Sequence, residues 1–543
     1  MRVGRAIATA LLGLASLAAC TRVDQPGGSA KNPWTQAHVL RIGEYQDLPG
    51  LNPHIVAATA LGNISQLTMA YLVRYDHNNE PIPELATVVP TQKNGGISRD
   101  GLTITWHLRS GVRWSDGAPF DADDVVFSTN AVNNPRNNEI GRDGWDLITR
   151  IDEPNKTTVV FHLKRPYSGY LPSFFGSAGA NPCILPKHIL GGLPDINTAP
   201  YNSKPVGIGP FRYVRWKRGE SLELEANPYY WRGMPKLKRI IERFIPDRNT
   251  LLTQLKTGEV DLWPYVGTGY RDRVAEIPGV TMAHFPSFYY SHIDFNVTHP
   301  GVSDPAVRRA LRMATNRAEI VAKVNFHSGI VQENQITPVS PLYEPIPLVP
   351  FDIAAANRLL DSAGWLRGPD GIRAKNGVRL ALSWATLSGA PDGDQVIENV
   401  RATWQAVGVS LTVRRYQPAL FFSPFQSGGI VFGGKYDVTA FSWGQTPDGD
   451  YAPTAGCAQI PPNGENNTRF CDARTDALLA RAKAAYDEDA RKPVLHELAL
   501  RISDRVPYFV MDIREDIHAY NKDLQNWHPN SSSPFDDFMN VDI

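Results

Sequence analysis

The sequence lacks an excess of charge of either sign. Its 543 residues include 55 Lys and Arg and 55 Asp and Glu, which gives a formal net charge of +0. Proteins that hold nucleic acid through its phosphate groups need a basic surface, and a balanced composition supplies no such field. We therefore expect no nucleic-acid partner.

Cysteine is scarce and histidine is scattered. The four Cys and thirteen His form no C-x-x-C pair and no H-x-x-x-H pair, the spacings at which these residues commonly bind metal. The sequence therefore predicts neither a metal site nor a cofactor. Cys457 and Cys471 enclose thirteen residues, a spacing that favours a disulfide in an oxidising compartment. Cys183 is then left over and is expected to be a small buried side chain.

Motifs of common enzymes are also missing. There is no G-x-S-x-G, no H-E-x-x-H and no phosphate-binding loop. Asp448 and Asp450 lie in the stretch W-G-Q-T-P-D-G-D-Y, and they could act as an acid pair only if the loop turned both to one side. No general acid in an apolar setting accompanies them, so we expect a protein that is not an enzyme.

Long apolar runs are absent after the first twenty residues. Two arginines near the N-terminus precede the apolar run Ile7–Leu17, which is typical of a signal peptide and too short for an ordinary membrane-spanning helix. The run ends in L-A-A-C and resembles the lipobox of bacterial lipoproteins, in which the cysteine, here Cys20, carries the lipid. We expect a signal peptide over 1–20, a flexible tether over 21–36 and a lipid-anchored protein outside the cytoplasm. An ordinary secretory signal with a chance cysteine is the alternative.

The rest of the chain mixes strands with helices, and it is longer than one hydrophobic core usually supports. Apolar and polar residues alternate over 102–108, which predicts a half-buried strand. Further strands are predicted over 38–43 and from Thr158. The expected fold class is therefore α/β or α+β, with more than one lobe.

Three helices are indicated by their first residues. Asp121 has Asp124 three residues on, as in a capping box, and Asp352 precedes an apolar run with a glycine near its end. Asp304, which is followed by proline, predicts the start of one helix over 306–324.

Five blocks of the sequence resemble one protein family. In chain order they are ELATVVPTQKNGGISRDGLTITWHLRSGVRWSDGAPFDADDVVFSTN from Glu84, GIGPFRYVRWKRGESLELEANPYYWRGMPKLKRI from Gly207, LLTQLKTGEVDLW from Leu251, DFNVTHPGVSDPAVRRALRMATNRAEIV from Asp294 and AANRLLDSAGW from Ala355. In content and spacing they resemble the bacterial extracellular solute-binding proteins of the dipeptide, oligopeptide and nickel class (family 5), which serve ABC importers. The resemblance extends from about residue 38 to near the C-terminus.

The resemblance implies a two-lobed periplasmic-binding-protein clamp (class II-like) with an extra subdomain in lobe one. Carried onto this chain, the parts are 37–75, 200–295 and 512–543 for lobe one, 76–199 for the subdomain and 296–511 for lobe two. A solute that contacts both lobes favours the closed form, and a permease can recognise that shape. The implied partners are the permease and ATPase of an importer, and the binding protein itself is expected to be a monomer.

The expected binding loop departs from the family's peptide binders. Those proteins place an Asp three residues after the Trp of this loop, where its charge pairs with the α-amino group of the peptide. Here Thr446 stands three residues after Trp443, and a neutral hydroxyl cannot make a charge-assisted hydrogen bond of that kind. Asp448 or Asp450 could take over the role after a shift of the loop, although Pro447 stiffens it.

A second departure concerns the carboxylate of the ligand. Dipeptide-binding members hold it with an Arg, whereas the equivalent stretch here, W-A-T-L-S-G-A-P-D-G-D-Q from Trp384, contains none. A longer peptide is therefore favoured over a free dipeptide. An oligosaccharide or another uncharged solute is the alternative, because Trp384 and Trp443 could stack on sugar rings as well as on peptide side chains. Either tryptophan could instead be an ordinary core residue. A ligand sensor or chaperone without transport is an alternative from another class.

Overall fold

The computed structural model describes residues 31–56, 58–142, 144–177 and 182–543. The expected signal peptide and the expected lipid-bearing Cys20 lie outside these residues. The strands are β1 (Val39–Glu44), β2 (Val73–Tyr75), β3 (Pro81–Pro83), β4 (Thr103–His107), β5 (Ile148–Asn155), β6 (Thr158–Leu163), β7 (Phe211–Lys217), β8 (Ser221–Ala226), β9 (Arg239–Phe244), β10 (Leu262–Trp263), β11 (Val280–Phe295), β12 (Leu366–Arg367), β13 (Arg373–Lys375), β14 (Val378–Arg379), β15 (Ala381–Leu387), β16 (Ser410–Tyr416), β17 (Val438–Gly444) and β18 (Tyr508–Asn521). The α-helices are α1 (Thr59–Thr68), α2 (Ala122–Asn133), α3 (Tyr170–Ser173), α4 (Lys187–Leu190), α5 (Arg248–Thr257), α6 (Arg271–Ala275), α7 (Pro305–Met313), α8 (Arg317–Lys323), α9 (Ile353–Ser362), α10 (Pro391–Ala406), α11 (Pro418–Phe421), α12 (Ala452–Ala455), α13 (Ala473–Ala484) and α14 (Glu488–Arg505).

One large mixed sheet organises the molecule. Its ten strands lie in the order β16-β15-β17-β11-β18-β10-β1-β9-β8-β7. β1 runs parallel to β9 and β10, and β15 runs parallel to β16 and β17. β11 is antiparallel to both of its neighbours, β17 and β18. Parallel strands joined through helices are the mark of an α/β fold, which confirms the α/β alternative.

Two long strands, β11 and β18, belong to both halves of this sheet. Their antiparallel pairing extends over most of both strands, and its register breaks between Pro286 and Tyr290. On one side of the break β18 also pairs with β10, and on the other side β11 also pairs with β17. Within the sheet, this strand pair is therefore the connection between a half that holds β1 and a half that holds β15.

Separate hydrophobic cores accompany the halves of the sheet. The core of lobe one joins β1, α1, β8 and the C-terminal segment, with Leu40, Leu61, Leu224 and Phe538 inside it. A three-stranded sheet, β4-β6-β5, covers its own core with α2 and forms the subdomain. The cores of lobe two take their residues from between 290 and 513.

The end of the subdomain differs from the expected boundary at residue 199. Cys183, Leu185 and Ile196 lie in the core of lobe one, although the expected subdomain range includes them. Ile184 and Ile208 belong to the subdomain core, so the chain alternates between the two cores over this stretch. Cys183 is buried and forms no disulfide, as its role as a small core side chain predicts.

The expected tether over 21–36 is wrong for its last residues. The backbone N–H of Asn32 donates to the Asp523 carboxylate (2.6 Å), and its side-chain amide donates to the Gly279 carbonyl (2.8 Å). The Thr35 hydroxyl donates to the same Asp523 carboxylate (2.6 Å). Polar residues in this stretch resemble a linker by composition, yet they are held by hydrogen bonds to segments more than 200 residues away.

Helix starts were predicted better than helix lengths. Asp121 caps α2 through a capping box with Asp124, and Asp352 caps α9 by accepting from the Ala355 backbone N–H. The single helix expected over 306–324 is wrong, because α7 ends at Met313 and α8 begins at Arg317. Asn316 accepts a hydrogen bond from the Glu319 backbone N–H and so caps a second helix inside the predicted one.

Cys457 and Cys471 form a disulfide in lobe two. The bond connects the segment after α12 to the start of α13 and closes a loop of fourteen positions. Among the described residues, no helix combines the length and the apolar character that crossing a membrane would require.

We expect the double variant Cys457→Ser with Cys471→Ser to melt at a lower temperature than the wild type. Without the disulfide the unfolded chain has more conformational entropy, which lowers the free energy of unfolding by about 3 kcal/mol. For a lobe of this size, that change corresponds to a decrease in melting temperature of roughly 10 °C. Differential scanning calorimetry measures the shift. Reductant should lower the wild-type melting temperature by the same amount and leave the variant unchanged, whereas equal melting temperatures without reductant would contradict the expectation.

Candidate functional site

A long cleft lies where β11 and β18 cross between the lobes. It consists of three adjoining cavities, which we call the inner cavity (about 270 Å³), the central cavity (about 600 Å³) and the outer cavity (about 420 Å³). The inner and central cavities share Asp392 and Arg514, and the central and outer cavities share Tyr289 and Asp516. Shared walls of this kind make one continuous groove, large enough for a ligand of several residues.

The break in strand register places polar side chains in this cleft. Between Pro286 and Tyr290 the two strands are out of register, and Ser287 and Tyr289 from this stretch line the central cavity. On the facing strand, Arg514 is exposed and Asp516 is half-buried. Arg514 is the residue of β18 without a paired residue on β11 at this break, whereas Asp512, Glu515 and Asp516 are paired.

Both lobes supply further groups. Lobe one contributes Glu44 at the end of β1 and Arg248 at the start of α5, and the Arg248 guanidinium lies 4.6 Å from the centre of the Tyr45 ring. Lobe two contributes Asp392 in the first turn of α10, where a carboxylate is favoured by the helix dipole. The cleft therefore offers charge of both signs to a ligand between the lobes.

The carboxyl groups of the crossing strand are perturbed by burial. Burial raises the pKa of Asp512 to about 6 and the pKa of Asp516 to about 6, while hydrogen bonds from Ser291 and Ser287 and the charge of Arg514 oppose the rise. Burial likewise raises the pKa of Glu44 to about 7. These three carboxyl groups are removed from water, and none of them has a cationic partner at contact distance among the described residues. Carboxyl groups with raised pKa values in a cleft indicate a candidate binding site.

The structure brings four of the five expected ligand-binding residues together. Trp443, Thr446, Asp448 and Asp450 line a fourth cavity of about 210 Å³, which we call the loop cavity, together with Tyr167, Pro172 and Ser173 of the subdomain. Trp384 lies elsewhere: it is fully buried against Trp404, with ring centres 5.7 Å apart, and forms part of the wall of the inner cavity.

Both aspartates of the loop already have protein partners. The Asp448 carboxylate accepts from the Arg491 guanidinium at 3.2 Å, and Asp450 lies 3.2 Å from the Lys483 ammonium. The Asp450 carboxylate also accepts from the Ala452 backbone N–H (2.8 Å), which begins α12. Burial raises the pKa of Asp450, opposed by Lys483. A ligand amine at either aspartate would have to share it with a buried cation.

Thr446 is not an isolated hydroxyl. It donates a hydrogen bond to Asp448, so the residue that stands at the family's anchor position orients the carboxylate two residues later. The loop therefore forms a connected set from Thr446 through Asp448 to Arg491. The role of Asp448 or Asp450 as a substitute anchor stays a prediction.

The subdomain and lobe two touch beside the loop cavity. The Tyr486 hydroxyl donates to the Gly101 carbonyl (2.8 Å) and accepts from the Tyr167 backbone N–H (2.8 Å). The Ser168 backbone N–H donates to the Lys483 carbonyl (2.9 Å). These bonds join parts of the chain more than 300 residues apart, and they hold the two sides of the clamp together at this end of the cleft.

Sequence reasoning missed the charged residues of the cleft. Arg248, Asp392, Asp512, Arg514 and Asp516 belong to no short motif. One signal was available: R-E-D at 514–516 places three consecutive charged residues between the apolar residues Ile513 and Ile517 of β18. A charged triplet inside a buried strand indicates a site where the strand is not covered on one face.

A cleft between two lobes, crossed by a pair of strands and lined by polar groups, defines a periplasmic-binding-protein clamp. The sequence profile described as "Bacterial extracellular solute-binding proteins, family 5 Middle" matches residues 80–459. The chain belongs to this family of solute-binding proteins, whose members bind substrates for transport.

Relatives and solved structures agree with that membership. Protein XP55 of Streptomyces lividans is 32% identical over 394 residues, which cover 72% of this chain and 68% of that protein. The oligopeptide-binding protein AppA of Bacillus subtilis is 24% identical over 526 residues and 94% of either chain. Its structure with a nonapeptide matches with a TM-score of 0.75 at 22% identity over 93% of this chain and 98% of AppA. The structure of NikZ of Campylobacter jejuni in complex with Ni(L-His) matches with a TM-score of 0.76 at 24% identity, over 93% of this chain and 98% of NikZ. Because such different ligands occupy one fold, the fold confirms the two-lobed clamp and leaves the ligand to the site.

We expect Thr446→Asp to strengthen the binding of ligands that carry a free amine. The new carboxylate would add a charge-assisted hydrogen bond at the anchor position, equivalent to roughly a tenfold gain in affinity. Isothermal titration of a free and an N-acetylated peptide measures the gain, with Thr446→Asn as a matched neutral control. If Thr446→Asp changes nothing and Asp448→Asn abolishes binding, the anchor lies at Asp448 instead.

Proposed function

We propose that this chain captures a peptide, and more specifically an oligopeptide, between its two lobes and delivers it to the permease of an ABC importer. The observation that carries the proposal is the mixed charge of the cleft. Arg514 offers an exposed guanidinium and Asp392 an exposed carboxylate, and neither forms an ion pair within the described part of the chain. A peptide with free ends has one charge of each sign to match them.

The cleft favours a long ligand over a free dipeptide. The stretch that follows Trp384 brings Asp392 and Asp394 to the start of α10 and no cation, and Asp394 is paired with Arg415 at 2.7 Å. The terminal carboxylate of a dipeptide would meet negative charge there. The three adjoining cavities leave space for a longer chain, whose terminus can lie elsewhere.

An uncharged solute such as an oligosaccharide fits this cleft less well. Tyrosine rings line the central cavity, including Tyr45, Tyr265 and Tyr289, and they would suit sugar faces. An uncharged ligand would nevertheless bury Arg514 and the nearby carboxyls without neutralising them, which is unfavourable.

Binding without catalysis is proposed as well, because Asp448 and Asp450, the only acid pair that the loop suggested, are each held by a cation.

Delivery would follow from closure of the clamp outside the cytoplasm. A peptide that touches Arg514 on the crossing strand and Asp392 on lobe two binds the closed form better than the open form, and so shifts the population toward closure. We further propose attachment to the membrane through lipid on Cys20 and function as a monomer with a permease and ATPase complex. Absence of permease and ATPase genes beside this gene would instead favour a sensor or chaperone.

The ligand class is tested on the purified soluble domain. Native mass spectrometry should detect a co-purified peptide, and a thermal-shift screen should show a higher melting temperature with tri- to pentapeptides than with dipeptides. If oligosaccharides raise the melting temperature and no peptide does, the peptide proposal fails.

Arg514→Gln should weaken the binding of peptides with a free C-terminal carboxylate by roughly tenfold, because a charge-assisted hydrogen bond is lost. Peptides with an amidated C-terminus should bind the variant and the wild type equally. Arg415→Gln is the matched control, since that arginine pairs with Asp394 away from the cleft. Equal affinities of the free and amidated peptides for the wild type would show that Arg514 does not hold the carboxylate.

A further inference from the structure

The residues that line the inner cavity indicate a role other than binding the charged N-terminus or C-terminus of a peptide. Its volume of about 270 Å³ is smaller than that of a pocket for a whole ligand, so it suits one side chain or one arm of a ligand. About half of its wall is apolar, and this part includes Ile320, Val324, Trp384, Val396, Ile397 and Met511.

A buried carboxyl lies in the wall of the inner cavity. Asp512 is 2% exposed and receives a long hydrogen bond from the Asn325 side-chain amide (3.4 Å). Ser291 lies opposite it on β11, and the Ser291 hydroxyl lies 3.3 Å from the Ser442 hydroxyl. Neither neighbour carries a charge, and within the described residues Asp512 forms no ion pair. A carboxylate removed from water in this way gains most from a cation that comes with a ligand.

The other charged groups around the cavity give it a negative balance. Asp392 lies at its edge on α10, and Glu515 and Arg514 lie at its edge on β18. His292 on β11 also lines the cavity, and its ring is hydrogen-bonded to the Asp294 carboxylate (2.5 Å). The guanidinium of Arg514 also acts on Asp516, so it neutralises Asp512 only in part. Three carboxyls therefore face the cavity against one guanidinium.

We propose that the inner cavity binds an aliphatic chain that ends in a cation, as a lysine side chain does, with Asp512 as the partner of the cation. The methylene groups lie against the apolar part of the wall, and the charged end reaches the carboxylates, which is how long cationic side chains divide between apolar and polar surroundings. This inference rests on the proposed function and narrows it to peptides with a basic residue at one position. The same chemistry occurs in a free diamine such as cadaverine.

The test uses pentaalanine peptides with lysine, norleucine or glutamate at one interior position. Norleucine keeps the aliphatic chain and removes the cation, so the difference between lysine and norleucine isolates the charge. Titration calorimetry with the wild type should show, at one position, lysine at least tenfold tighter than norleucine, and glutamate weaker than both. Asp512→Asn should remove the advantage of lysine and leave the norleucine peptide within about twofold.

Two further variants, both at the start of α10, provide independent checks. Asp392→Asn, at the exposed start of α10, should reduce in part the higher affinity for the lysine peptide over the norleucine peptide. This variant tests the inference if Asp512→Asn does not fold. Asp394→Asn is the matched control, because Asp394 belongs to the same helical turn and faces Arg415. An advantage of lysine that Asp394→Asn reduces as strongly as Asp392→Asn does would overturn the assignment.

Acidic pH should weaken the binding of the lysine peptide. The pKa of Asp512 is raised to about 6, so the group is ionised at pH 7.5 and largely protonated at pH 5. A bound ammonium favours the ionised form, and the advantage of lysine should therefore fall about tenfold between these pH values. A constant advantage over this range would contradict a role for Asp512.

The outcomes separate this inference from the proposed function. If peptides bind but lysine and norleucine are equal at every position, the inference is wrong and peptide capture stands. If no peptide binds and cadaverine binds in a way that Asp512→Asn abolishes, the cation site is supported with a free diamine as its ligand, and peptide capture fails. If neither peptides nor cadaverine bind, both fail.

Discussion

The antiparallel pairing of β11 with β18 is the constraint on which the rest of the structure depends. These strands hold β17 on one side and β10 on the other, so each half of the sheet reaches its neighbour through them. A break in their register between Pro286 and Tyr290 lets the halves diverge, and the cleft opens at that break. Connection and binding site thus arise from the same few residues, which explains how binding there can change the angle between lobes.

Buried carboxyl groups on β18 lower the stability of the protein without ligand, but they can contribute to the binding of a ligand. Asp512 and Asp516 lie on a strand whose neighbours Val510, Ile513 and Ile517 are buried in hydrophobic cores. Apolar residues there would stabilise the strand pair more. A ligand that carries the opposite charge relieves the unfavourable burial, and part of its binding free energy comes from that relief. Under the proposed function, selectivity for charged ligands would follow from the folding of the strand itself.

Local physical chemistry was enough to predict much of the fold, and only long-range contacts decided the rest. Asp121 and Asp352 begin helices because each aspartate accepts from a backbone N–H within its own first turn. The break between α7 and α8 was not predicted, because a second cap at Asn316 outweighs the helix propensity of the stretch. The order at Asn32 was not predicted either, because it depends on a hydrogen bond to Asp523, almost 500 residues away. The family resemblance supplied the two-lobed arrangement, which no local pattern contains.

The candidate site shows the same limit more sharply. In the sequence, Asp448 and Asp450 stand beside Trp443 with no cation near them, and they look like free anchors for an amine. In the structure Lys483 and Arg491, more than thirty residues later, neutralise both. The carboxyls without such partners, Asp392 and Asp512, lie in stretches with no recognisable motif. The availability of a carboxylate depends on which distant cations the fold brings to it, so the carboxyls that remain open to a cationic ligand lie beside the crossing strands and not in the loop.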